Sequence, residues 1–313
     1  MSDAAVGEKK AVVVGAACID IRGQARGALV AGTSNPGVIR LTVGGVGRNI
    51  AEALGRLGVP VSLISAVGDD DWGRDILRRT EAGGVDVRYV RVCPAERSAA
   101  YLAVFDEAAQ RVVSIDNMDL MRRVDGRYLS SLRPLFAQAS IAVVDGNLSN
   151  AALQSLFRLS ERYRFPLALD PTSAVLAARL RRHLHRFHMV TPDVAEAEVL
   201  SGISINSETD AVLAAQAIVA AGVKVAIVTM AEEGSAYATS ETFGRVPAIR
   251  CEVVDRIGVG DVLTATVVFG ILHDLPVDEA VRMGTAAAAY TIRCPEAVCP
   301  DLSLELLYDA IAP

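Results

Sequence analysis

Gly258-Val259-Gly260-Asp261 stands between the apolar run Cys251 to Val254 and an alanine-containing apolar stretch that follows Val262. The first run reads as a strand and the second as a helix, so the glycines expose backbone N–H groups beside one carboxylate. That arrangement suits phosphoryl transfer. Main-chain donors can hold the charge that grows on a phosphate while Asp261 takes a proton from the attacking hydroxyl. A Gly-x-Gly segment before a helix is also a common tight turn, so the tetrapeptide needs support from the rest of the chain.

Support comes from where other acidic and amide residues fall. Ala11 to Val14 reads as a buried strand, and its continuation through Gly15 places Asp20 near the strand's exit. Ile141 to Val144 ends at Asp145-Gly146-Asn147, Leu167 to Leu169 at Asp170-Pro171, and Met189-Val190 at Thr191-Pro192-Asp193. Gly44 to Asn49 leads into a helical pattern from Ile50 to Leu57, and strand Val61 to Val67 follows. A second helix runs from Asp75 to Ala82. Helices over Glu196 to Ser201 and Asp210 to Ala221 each stop at a glycine, and strand Val225 to Thr229 follows the second. This alternation predicts an α/β fold of three αβα layers on a mainly parallel sheet, with polar groups gathered at the carboxyl ends where such sheets bind ligands. Two stretches break the rhythm: short extended pieces punctuated by glycine between Arg22 and Thr42, and the strands Ala99 to Phe105 and Arg111 to Ile115. They predict a small β-sheet lid, inserted in two pieces at about 21–43 and 97–116 of a single domain spanning 1–313.

The bulk properties narrow the partners. With 313 residues, 51% of them hydrophobic and 22% charged, the chain is long enough for a large core. A net charge of -6 gives no electrostatic case for nucleic-acid binding. The basic residues from Arg179 to His188 read as a solvated face, and the irregular spacing of His183, His185 and His188 argues against a metal site. Five dispersed cysteines imply a reducing cytosol, and Cys294 with Cys299 lacks the second pair a zinc site needs. The polar start resembles no secretory signal, and no apolar stretch is long enough to span a bilayer. The expectation is a cytoplasmic protein that does not engage membranes.

Gly44-Gly45-Val46-Gly47-Arg48-Asn49 and Asp255 to Asp261 resemble the two signatures of the ribokinase-like, or PfkB, family of sugar and nucleoside kinases, and the likeness covers nearly the whole chain. Ser34 to Ile39, Leu148-Ser149, Asp170-Pro171-Thr172-Ser173, Glu196-Ala197-Glu198 and Leu200-Ser201-Gly202 resemble the pseudouridine kinase branch. The resemblance implies ATP-dependent phosphorylation of a nucleoside 5'-hydroxyl, with Asp261 as base and Gly258, Val259 and Gly260 as anion hole. It implies ribose contacts from Asp20, Gly45 and Asn49, and further substrate contacts from Ser98, Tyr101, Asp116, Asn117, Asp145, Asn147 and Asp170. Asp193, Thr229, Gly234, Arg256 and Gly260 would meet ATP, and Glu196 would order the Mg²⁺ hydration shell. K⁺ is a further candidate, as is a homodimer through the lid.

The nucleotide side departs from the family pattern. Arg256 and Ile257 stand where the usual signature has two threonines, and Val259 stands where it has alanine. The usual Gly-Gly-x-Gly turn reads Ala231-Glu232-Glu233-Gly234, which brings two negative charges toward a polyphosphate site. Leu176 occupies a position where the branch tends to have lysine, and Arg256 is a candidate to restore a positive charge. Asp20, Asn49, Asp145 and Asp170 could each serve only to cap or to close a turn. Trp72 and Met118 read as packing residues. Two alternatives stay open: a kinase of another nucleoside or ribose-type sugar, and a non-catalytic nucleoside-binding protein on the same fold.

Overall fold

The computed structural model describes residues 9–311, so the polar start and the last two residues lie outside the described region. Strand β1 (Ala11–Val14) is buried throughout. Its alternation sends Ala11 and Val13 into one apolar layer and Val12 and Val14 into the other, as a strand covered by helices on both faces requires. Around it lie β4 (Val61–Gly68), β5 (Val85–Asp86), β6 (Val90–Cys93), β9 (Ile141–Asp145), β10 (Leu167–Asp170), β11 (Met189–Val190), β12 (Val225–Thr229), β13 (Ser235–Ala238) and β14 (Phe243–Val246). The order is β14-β13-β12-β11-β10-β9-β1-β4-β5, with β6 paired to β4. Pairing is parallel from β12 to β5 and antiparallel at β12–β13 and β13–β14.

Helices α1 (Val46–Arg56), α2 (Asp71–Ala82), α9 (Val259–Leu272), α10 (Val277–Thr291) and α11 (Leu304–Ile311) cover one face of this sheet. The other face is covered by α3 (Gly126–Ser131), α4 (Arg133–Phe136), α5 (Asn150–Tyr163), α6 (Ala174–Leu180), α7 (Val194–Ser201) and α8 (Glu208–Ala220). The three-layer α/β architecture is the one expected. Because β1 pairs with β4 on one side and β9 on the other, the strand order reverses at β1, and a crevice opens at the carboxyl ends there. Trp72 and Met118 pack against the two cores.

A second sheet joins two distant segments, in the order β3 (Gly37–Gly44), β2 (Cys18–Ala25), β7 (Ala99–Phe105), β8 (Arg111–Asn117). Its register sorts side chains by chemistry. One face carries Ile39, Leu41, Ile21, Leu102, Ile115 and Val113, and the other carries Thr42, Asp20, Arg22, Tyr101 and Asp116. The polar face therefore begins where β2 leaves the crevice.

One element differs from expectation. Cys251 to Val254 is not a strand. Val253 and Val254 are each 47% exposed, and the N–H groups of Val254 and Asp255 both go to the Ile292 carbonyl at the end of α10. Without a neighbouring strand, an apolar run has nothing to pair with. Here it is a strap over the end of a helix.

Candidate active site

The Gly258–Asp261 turn opens α9 as its sequence suggests. Gly258 is the N-cap with φ of 78°, a left-handed conformation, and a side chain there would overlap the Ala297 carbonyl. The first intrahelical bond runs from Val262 N–H to the Gly258 carbonyl at 2.9 Å. The N–H groups of Val259, Gly260 and Asp261 precede it and have no partner within the helix, so the positive end of the α9 dipole faces the crevice. Around Gly260 a Cβ would meet nothing within 4 Å. The open space beside these donors is the room an anion needs.

Asp261 does not stand alone. Asn49, 2% exposed, donates from Nδ2 to Asp261 Oδ2 at 2.7 Å, joining the starts of α1 and α9. Burial, opposed by this hydrogen bond and reinforced by the charges of Asp20 and Asp145, pushes the Asp261 carboxyl up to about 7. Asp20, 4% exposed, lies against the Gly44 backbone, where any side chain would strike its carboxyl. Burial lifts Asp20 to about 6. Asp170 is held well above the usual carboxylate range by burial, then by the charges of Asp261 and Glu196. Several buried carboxyls of raised pKa at one sheet end mark a place where charge is handled, by a proton or by a cation.

Other expected residues serve the scaffold of this cluster. Asp145, fully buried, accepts from Ala16 N–H (2.6 Å), Gly47 N–H (3.2 Å) and Asn147 N–H (2.9 Å), pinning the turns that follow β1 and open α1. Gly45, with φ of 99°, makes the bend that starts α1. Asp193 caps α7 by accepting Glu196 N–H at 2.8 Å, and Glu196 Oε2 accepts Asp193 N–H at 2.9 Å, a capping box. Burial and then the Asp193 charge push Glu196 up to about 8. Thr229 bridges Asp193 across neighbouring strands, and its hydroxyl reaches the Pro192 carbonyl at 3.5 Å. Gly234 closes the next turn, its carbonyl accepting Met230 N–H at 2.8 Å.

Asp20, Tyr101 and Asp116 occupy one cross-strand row with Thr42. At about 4.8 Å per strand, Asp116 lies roughly 10 Å from Asp20 along that row. Three of the expected residues have partners within the protein. Asn117 alternates to the opposite face from Asp20, where its Oδ1 accepts Asp119 N–H at 3.2 Å. Ser98 is already engaged, donating to Asp70 at 2.6 Å and accepting Gly68 N–H at 2.9 Å. Arg256 forms an ion pair with Glu232, so its charge offsets one acidic residue of the altered turn. One of the two added acidic charges on the nucleotide side is thereby offset.

Four sets of contacts were not legible in the sequence. Arg22 on the polar face of the small sheet pairs with Asp255, whose Oδ1 accepts Ile257 N–H at 2.9 Å, linking that sheet to the turn before α9. Thr264 of α9 joins Thr191 at 2.7 Å and Asp170 at 3.4 Å. Arg48 is buried beside Asn49, and its spacing to Glu52 and Arg56 was the one signal the sequence offered. Arg179, placed in the solvated stripe, instead donates to the Gly146 and Leu148 carbonyls beyond β9.

Among the described residues no three His, Cys, Asp or Glu side chains converge as a ready metal cage. The carboxyls of Asp170 and Glu196, close enough for the charge of Glu196 to act on Asp170, fit Mg²⁺, which usually keeps its waters and takes one or two carboxylates plus substrate phosphates. Among the same residues no helix is long and apolar enough to cross a membrane.

The pattern of the pfkB family carbohydrate kinases matches residues 8–302. A pseudouridine kinase from Escherichia coli strain K12 is 32% identical over 294 residues, covering 94% of this chain and 93% of that protein. A guanosine-inosine kinase from Exiguobacterium acetylicum is 28% identical over 289 residues, covering 92% and 95%. Among solved structures, a putative ribokinase II from E. coli in complex with ATP and Mg²⁺ superposes with a TM-score of 0.82 at 20% identity, covering 97% of this chain and 99% of that one.

Proposed function

We propose, for a chain that belongs to the pfkB family of carbohydrate kinases and is therefore a phosphotransferase, that it moves the γ-phosphoryl group of ATP to the 5'-hydroxyl of pseudouridine. The observation that carries this reading is the meeting of Asp261, held by Asn49, with the free N–H groups at the start of α9. Asp261 accepts the hydroxyl proton as the new oxygen–phosphorus bond forms and the bond from the γ phosphorus to ADP breaks. The N–H groups of Val259, Gly260 and Asp261 take the charge on the transferring group. Asp20 and Asn49 hold the ribose hydroxyls. Tyr101 and Asp116, further along the same row, face the base. Asp193, Thr229 and Gly234 border the nucleotide. Asp170 and Glu196 would hold Mg²⁺ through its waters, and the bound ion would neutralise the β and γ phosphates.

A panel of nucleosides and ribose with Mg-ATP, scored for phosphorylated product, tests the substrate. Pseudouridine gives the highest kcat/KM. Uridine, guanosine, inosine or ribose matching it would replace the carbon-linked nucleoside with that acceptor, and nucleoside binding without ATP consumption would make the protein a sensor.

The small sheet acts as the lid and as a dimer surface. Its apolar face leaves Ile39 72%, Ile115 63% and Leu41 53% exposed, a contiguous patch that a second copy of the same face would cover. Light scattering should give a dimer for the native protein and a monomer for Ile39→Asp. A monomeric native protein, or an unchanged dimer in the variant, removes this part of the reading.

A further inference from the structure

We infer that Arg48 is a positioning residue for the reaction, setting the orientation of the Asn49 amide that in turn holds Asp261. The inference rests on the reading of Asp261 as base. An amide side chain has one accepting and one donating end, and nothing in its shape decides which end faces which neighbour. Here the neighbour decides. Arg48 Nη1 can only donate, and it lies 3.1 Å from Asn49 Oδ1, so the amide oxygen turns toward Arg48 and Nδ2 turns toward Asp261 Oδ2 at 2.7 Å. The hydrogen bond leaves Oδ1 of Asp261 to receive the proton of the acceptor hydroxyl.

Arg48 is itself fixed from four directions, which is what a positioning group needs. Nη1 also donates to the Val43 carbonyl at 3.3 Å, Nε to Thr80 Oγ1 at 3.3 Å, and Nη2 pairs with Glu52 at 2.5 Å. Glu52 is shared with Arg56, whose Nη1 donates to the Pro300 carbonyl at 2.5 Å. The chain of contacts ties the end of β3, helix α2 and the segment after α10 to one carboxyl. A surface ion pair at this spacing would contribute little to stability. A buried guanidinium with four partners is costly to place, and lysine, with one nitrogen, cannot make the same fork.

The groups that face Asp261 electrostatically are Asp20 from β2, Asp145 from β9, Asp170 from β10, Glu196 from α7 and Arg48 from α1. Arg48 is the cation of the set. Removing it withdraws both a nearby positive charge and the hold on the Asn49 donor, and each change favours the protonated carboxyl.

The test compares the native protein with Arg48→Lys and with the double variant Arg48→Met/Glu52→Met, which removes both buried members of the ion pair and leaves Arg56, 22% exposed, with the Pro300 carbonyl as its partner. The side-chain carboxyl resonance of Asp261, assigned by its loss in Asp261→Asn, is titrated in the free protein, and turnover is measured with Mg-ATP and pseudouridine. In both variants the Asp261 midpoint moves to higher pH and kcat falls roughly ten- to a hundredfold, while the KM for ATP changes little. A folded variant with an unmoved midpoint overturns the positioning role even if kcat falls, since damage to packing alone would lower activity without it. Full turnover in Asp261→Asn overturns the base itself. An unmoved midpoint alongside an inactive Asp261→Asn overturns Arg48 alone.

Discussion

Asp261→Asn lowers kcat by at least about a hundredfold while nucleoside affinity stays close to native, because the change removes the proton acceptor and keeps the size and polarity of the side chain. The same carboxyl sets the pH dependence. Held up to about 7 by burial and by the charges of Asp20 and Asp145, it is protonated in acid and cannot act as base. Rising pH frees it, so kcat/KM for the acceptor climbs through that region and levels off above it. The Asp261→Asn enzyme, lacking the group, shows residual activity without this limb. Steady-state kinetics across the pH range, with equilibrium binding of the nucleoside, checks both parts. Turnover near the native level in the variant would leave the anion hole and substrate positioning as the whole of catalysis. A loss of nucleoside affinity equal to the loss of kcat would make Asp261 a binding group only.

Much of this site was legible in the sequence because strand ends and helix starts are. The apolar run Ala11 to Val14, four residues without a charge, can only be a buried strand, and the acidic residues past Ile141 to Val144 and Leu167 to Leu169 had to lie at the same sheet end. Gly258 announced its own turn, since a left-handed N-cap against the Ala297 carbonyl admits no side chain. What the sequence hid were facts of pairing. Cys251 to Val254 has the composition of a strand, but a strand is defined by its neighbour, and the neighbour is the end of α10. Asn117 and Asp116 are adjacent in sequence and opposite in orientation, and only the register with Ala100 and Tyr101 tells which one faces Asp20. Arg48, Glu52 and Arg56 stand four residues apart, the spacing of an ordinary surface ladder. The packing of β3 and α2 over α1 turned its first pair into an interior network. Arg256 and Glu232, odd when taken singly, became an ion pair once two loops met.

Two alanine substitutions in the same turn separate fold from chemistry. At Gly258 the new methyl would overlap the Ala297 carbonyl, and the left-handed backbone adds roughly 1–2 kcal/mol against an L-residue. Gly258→Ala therefore melts at lower temperature and loses activity as its turn distorts, a result that says little about catalysis. Gly260→Ala is the informative one. A Cβ there meets nothing within 4 Å, and alanine replaces glycine in the first turn of α9, where the restriction of the unfolded chain alone is worth roughly 0.4–1 kcal/mol in favour of folding. Its melting temperature stays at or above native. The methyl nevertheless stands beside the N–H groups of Val259 to Asp261, where the transferring phosphate must approach, and turnover falls by roughly a hundredfold or more, the scale of losing one oxyanion donor. Calorimetric melting with kinetics in Mg-ATP reads both quantities on one protein. Native turnover in a folded Gly260→Ala enzyme would mean that no anion comes to this turn, and the helix start would be only the cap it resembles. A stable fold with chemistry lost places the phosphate where the open space is.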